Sequence, residues 1–181
     1  MAGSTGHDKT DTEKREIIGK IIGDASAAFL VSRSASDGLH GRPMATAKVE
    51  DGLTAIWFTC QKDSRVVEEI TADARVYLGY TNHTGSEWAS LNGHATIVTD
   101  RAKIKELWSP ALKNWFDGPE DPNIALIKVE PQDAEYWDSG SRAVMLLKMA
   151  FAAVTGVKVS DGEHERVNVG AKFSEDQQRV R

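Results

Sequence analysis

Apolar residues recur along the chain on two periods, one helical and one extended, and the switches between them mark the elements. Behind T-D-T-E, where Thr10 serves as N-cap and Glu13 reaches back to it, Ile17, Ile18, Ile21 and Ile22 form one stripe, and Gly23 suits the stop. This predicts a helix that covers a core, after ten small polar residues predicted to be disordered. AAFLVS (27–32) reads as a buried strand and SRSASDGLHG (32–41) as a loop of turn residues. GRPMATAKVEDGLTAIWFT (41–59) reads as a hairpin turning at Asp51-Gly52. Asp63 or Ser64 caps a short helix, SRVVEEITAD, ahead of the strand ARVYLGYT (74–81). A long strand, EWASLNGHATIVT (87–99), carries Gly93 as a bulge or bend. Asp100 starts a helix that Pro110 breaks or restarts. NIALIKVEP and AEYWD read as two strands, and RAVMLLKMAFAAV as a helix with Val144, Leu147, Phe151 and Val154 on one side.

Short strands interrupted by helices predict a mainly β fold, a curved antiparallel sheet or small barrel with peripheral helices. One domain over 11–157, followed by an extended polar tail over 158–181, accounts for the pattern. A chain of 181 residues is long enough for one core, and its 40% apolar content shows no run near the ~18 residues of a membrane span. The start MAGSTGHDKTDTEKRE lacks an apolar h-region, so no secretory signal is expected. One cysteine, Cys60, excludes an intramolecular disulfide framework and suits a reducing cytoplasm. A net charge of -5 leaves no basic stripe for nucleic acid.

A two-residue Asp-Gly turn places Glu50 opposite Leu53, and counting outward pairs Lys48 with Ala55, Thr46 with Trp57, Met44 with Thr59 and Arg42 with Gln61. Side chains alternate, so Arg42 and Thr59 then share one face, while Val49, Ala47, Ala45 and Pro43 face the core with Ile56 and Phe58. Lys62, Ser64, Arg65 and a helix start follow within a few residues. A cation fork, a hydroxyl and open backbone N–H groups suit a phosphate. Asp63 competes for the same donors. The plainer alternative is that Arg42 and Arg65 pair with Glu50, Glu68 or Asp63 at the surface.

G-R-P-M-A-T, W-F-T-x-x-x-D-S-R, L-N-G-H-A, W-F-D-G-P-E-D-P and A-E-Y-W-D, in that order, resemble the pyridoxamine 5′-phosphate oxidase-like FMN-binding split barrels, and within them the general-stress-protein branch. The resemblance covers about Glu13 to Gly170. It implies a six-stranded antiparallel Greek-key split β-barrel, a homodimer, and a flavin, FMN or FAD, at the subunit interface. It also implies that Arg42, Thr59 and Ser64, helped by Arg65, hold the phosphate, with the backbone around Pro43, Met44 and Phe58 against the ring. Trp88 stands near the flavin, Trp137 approaches from the partner subunit, and Trp115 lies near that interface; for each the alternative is core packing. The branch's usual cation after Ser-Arg is replaced by Val66, and Lys62 is the candidate substitute.

True pyridoxamine phosphate oxidases grip their substrate phosphate with a tyrosine, an arginine and a serine on the helix after the long strand, and carry Arg-x-His near the C-terminus. Here that helix reads DRAKIKELWSPALKNWF, and DSGSR follows Trp137. That activity is therefore not expected. His7, His40, His83, His94 and His164 are too scattered for a metal site, and Cys60 reads as an inert buried thiol. What remains is a flavin-dependent oxidoreductase on a small substrate, or a non-catalytic protein that stores, delivers or senses flavin. A dimeric scaffold without flavin is the third alternative.

Overall fold

The computed structural model describes residues 9–36, 38–82, 87–138 and 163–170. In chain order the elements are α1 (Asp11–Asp24), β1 (Ala28–Ser34), β2 (Gly38–Met44), β3 (Thr46–Val49), β4 (Ile56–Gln61), α2 (Arg65–Ala72), β5 (Arg75–Thr81), β6 (Glu87–Val98), α3 (Arg101–Leu107), β7 (Ile124–Asp138) and β8 (Glu163–Asn168). Short 3-10 turns at Asp51–Leu53 and Pro110–Asn114 complete them. The helix read at 141–156 lies outside the described residues.

All the strands join one antiparallel sheet in the order β2-β1-β5-β6-β7-β4-β3, with β8 added along β7. The two ends of that path, β2 and β3, are separated in sequence by Ala45 alone. The sheet must therefore curl until its edges meet at that residue. This is a split β-barrel, as expected, with eight strands among the described residues where six were anticipated.

The helix ends follow local chemistry. Thr10 and Glu13 close a capping box on α1, and Ile18, Ile21 and Ile22 are buried against the sheet. Asp100 caps α3 by accepting from the Lys103 N–H at 2.8 Å. The main core lies between α1, α2 and the concave sheet face, around Ile18, Leu30, Phe58, Leu78, Leu91 and Tyr136. A second, smaller cluster lies on the opposite face of β4 and β7, where Trp57, Ile124 and Leu126 pack under Ile104 and Phe116.

Four expectations need correction. The stretch 32–41 is not a loop: β2 pairs with β1 from Ser34↔Gly38 to Ala28↔Met44, so Arg42 faces Leu30 and not Gln61. The turn at Asp51-Gly52 is not a two-residue turn, because Gly52 (φ 67) and Leu53 (φ 59) both take the left-handed conformation and the Glu50 N–H donates to the Ala55 carbonyl at 2.8 Å. Ala47 is then bulged out, giving Lys48↔Trp57 but Thr46↔Phe58. In consequence Pro43, Ala45 and Ala47 are exposed, and Met44 packs toward the core. NIALIKVEP and AEYWD form a single strand, β7, in which Pro131 sits opposite Gly93 at a bulge. A side chain at 93 would meet the Glu130 carbonyl oxygen at 2.7 Å. Finally, part of the tail is structural, since β8 buries Val167 and the following Val169.

Candidate functional site

Where the barrel edges meet, the chain from Pro43 to Ala47 borders a groove of about 660 Å³. Its opposite walls are the end of β4, with Thr59, Cys60 and Gln61, and the segment after α3, with Ser109, Leu112 and Trp115. The lining is chiefly apolar with hydroxyl and amide groups among it, and it includes no carboxylate, lysine, arginine or histidine. Cys60 is buried, and that burial pushes its thiol up to about 12 against a weaker opposing hydrogen bond with Ser64. At neutral pH it stays a thiol.

A second groove, of about 610 Å³, lies on the convex face of the sheet and shares Pro43 with the first. Phe29, Tyr77, Trp88 and Trp137 line it. Trp88 and Trp137 are cross-strand neighbours on β6 and β7, and His164 of β8 stacks on Trp137 with ring centroids 4.9 Å apart. Phe29 covers Gly41, where any side chain would collide with its ring. Phe29, Leu39, Tyr77 and Trp88 are large apolar side chains left exposed, as is Trp115 beside the first groove.

The residues expected at a phosphate do not all meet. Thr59 lines the first groove, and Lys62, Ser64 and Arg65 follow it around the start of α2. Ser64 is the N-cap of α2, but its hydroxyl donates to the Gln61 carbonyl at 2.5 Å and caps no helical N–H. The Lys62 N–H donates to the Asn123 carbonyl at 2.7 Å, and its side chain is exposed. Val66 faces inward and is buried, so the position after Arg65 belongs to the core. Phe58 is fully buried and can present only its backbone.

Arg42 turns inward, away from Thr59. Its Nη1 donates to Ser32 Oγ at 2.7 Å and its Nη2 to Glu69 Oε2 at 2.6 Å. Arg65 reaches the same carboxylate, Nε to Oε1 at 3.0 Å, as does His40 through Nδ1 at 2.7 Å. The carboxylate that both arginines reach is thus Glu69. Glu69 was missed by sequence reasoning; the available signal was a carboxylate on the helix face that carries Val66 and Ile70.

Among the described residues no helix is long and apolar enough to cross a membrane, and no group of three or more His, Cys, Asp or Glu could hold a metal ion.

Comparison with known proteins agrees with this architecture. The chain is 31% identical to protein bli-3 of Neurospora crassa over 140 residues, which covers 71% of this chain and 67% of that one. It is 33% identical to general stress protein 26 of Bacillus subtilis over 102 residues, 55% of this chain and 72% of the other. Among solved structures, the general stress FMN/FAD binding protein of Xanthomonas citri superposes with a TM-score of 0.62 at 27% identity, over 73% of this chain and 92% of its own. General stress protein 26 of Bacillus anthracis gives a TM-score of 0.62 at 25% identity, over 68% and 93%. Residues 13–160 match the family described as pyridoxamine 5'-phosphate oxidase like, and the chain belongs to that family.

Proposed function

We propose that this chain binds a flavin, FMN with FAD as the alternative, in the groove at the barrel split, and works as a flavin-dependent oxidoreductase on a small substrate. The observation that carries this reading is the chiefly apolar groove itself: Met44, Ala45 and Trp115 offer walls to a planar ring, and from Gln61 in its lining the chain runs on to Lys62, Ser64 and Arg65. The FMN/FAD-binding relative of the same fold supports it.

In this reading Thr59, Ser64, Arg65 and Lys62 hold the phosphate, while the backbone of 43–46 and 58–59 lies against the ring. Bound there, the flavin would supply electron transfer to and from its ring system, chemistry that belongs to the cofactor. The chain's own part is to hold the ring, shield it and leave room for a substrate. A second copy seated on the convex face would cover Phe29, Tyr77, Trp88 and Trp137 and bring the last two toward the partner's groove. The cytoplasm suits such a protein.

The purified protein is then yellow, and anaerobic addition of NADH or NADPH bleaches it. The lining of the groove favours one other reading, because it offers no group titrating near neutrality to move a proton. A flavin that is bound yet inert to both nicotinamides supports storage, delivery or sensing. Colourless protein that does not quench added FMN overturns both. Lys62→Ala weakens FMN several-fold by fluorescence titration if Lys62 supplies the charge that Val66 lacks; unchanged affinity shows that it does not.

A further inference from the structure

Two residues past the last β1–β5 pair, Val31↔Tyr77, Arg33 and Arg75 come level on neighbouring strands. Like charges set opposite each other destabilise a sheet unless a counter-charge joins them. Asp73 is that counter-charge: its Oδ2 accepts from Arg75 Nη2 at 2.6 Å and lies 3.6 Å from Arg33 Nε. The sharing is unequal. Arg75 sets Nε and Nη2 on the two carboxylate oxygens as a closed fork. Arg33 offers Asp73 only Nε, past hydrogen-bond length, its side chain is 61% exposed, and among the described residues its terminal nitrogens meet no acceptor. Two guanidiniums against one carboxylate leave one net positive charge, on a chain whose total is -5.

A groove of about 450 Å³, within the range of small-molecule sites, takes in this cluster. Leu39, the cross-strand partner of Arg33, and Tyr77, beside Arg75 on the same face of β5, are exposed and line it with apolar surface. Asn92, opposite Tyr77, donates to Asp133 at 3.2 Å, and Arg166 lies 3.5 Å from that carboxylate. We propose that this groove binds a small aromatic carboxylate, whose anionic end takes the open fork of Arg33 and whose ring lies on Leu39 and Tyr77. One carboxylate balances the one surplus charge, whereas a phosphate near its second ionisation would leave an excess of negative charge beside Asp73. Among the described residues the groove shares no lining with the barrel split, so the site does not depend on the flavin reading.

Calorimetric titration of the full chain with 2-naphthoate and with its uncharged counterpart, 2-acetylnaphthalene, separates the charge from the ring. The naphthoate should bind more tightly than the ketone, and its advantage should shrink as NaCl rises. Arg33→Gln should lower naphthoate affinity about tenfold and leave the ketone's unchanged. Asp73→Asn removes the competing carboxylate and keeps its shape, so it should raise naphthoate affinity several-fold. Leu39→Ala should weaken both probes alike. If Asp73→Asn fails to fold, the Arg33→Gln comparison decides. No saturable naphthoate binding, equal binding of the two probes, or an affinity unaltered in Arg33→Gln overturns the assignment. So does competition from FMN, which would put the probe in the barrel split. Tyr77 also lines the convex groove, so naphthoate binding that splits a dimer in sedimentation velocity would give this place to a second copy and overturn the assignment as well.

Discussion

At Glu69 two effects oppose each other. Burial alone would raise its carboxyl, but hydrogen bonds from Ser32, His40 and Arg42, with the Arg42 charge, outweigh it and hold the group down at about 2. A carboxylate depressed in the folded state adds stability that is fully present above its unfolded value, near 4.3, and is lost as pH falls toward 2. The contribution is on the order of 3 kcal/mol. Urea denaturation of wild type and Glu69→Gln should therefore differ by about that much at pH 7, by roughly half as much near pH 3, and converge only at about pH 2 and below; a constant gap would refute the assignment. Little of this was legible in the sequence. Arg42 and Arg65 stood out as cations near a turn, but which carboxylate they meet depends on how α2 lies across β1 and β2, and local spacing does not record that.

Elements with local causes were legible. The caps at Thr10 and Asp100 and the bulge at Gly93 each rest on a few neighbouring residues. Since a side chain at 93 would press on the Glu130–Pro131 backbone, which cannot swing aside, Gly93→Ala should cost about 1–3 kcal/mol by chemical denaturation. The hairpin at Asp51-Gly52 misled because Leu53 takes a conformation that a branched apolar residue rarely adopts, and its burial is what stabilises the turn there. β2 and β8 were hidden for a different reason. Both are polar or glycine-rich, and their strand character comes from the ladders of β1 and β7. Ending the chain before Glu163 removes Val167 and Val169 from the core and uncovers one side of β7. A loss of about 3 kcal/mol or more, read as a lower midpoint in thermal circular dichroism, is expected.

At the scale of the molecule, the convex face is the surface to test. Phe29, Tyr77 and Trp88 line one groove there and stay exposed, and clustered apolar side chains of this kind mark interaction surfaces. Phe29→Glu should weaken self-association roughly tenfold or more, seen as a shift toward monomer in sedimentation velocity; wild-type protein that is monomeric at all concentrations would remove this face from consideration. The barrel class was readable because strand lengths and helix interruptions limit it, whereas the exposed aromatic face was not, since tryptophans more often serve burial.

The single-residue link at Ala45 gives the sheet a seam that its own chain crosses. A slip in the β1–β2 ladder would drag on β3, and loosening of β3 from β4 would pull on β2, so neither rim can fray by itself. Opening at the seam is one event felt at both ends, and the backbone amides of β2 and β3 should exchange with solvent as a single cooperative unit despite lying at opposite ends of the strand order.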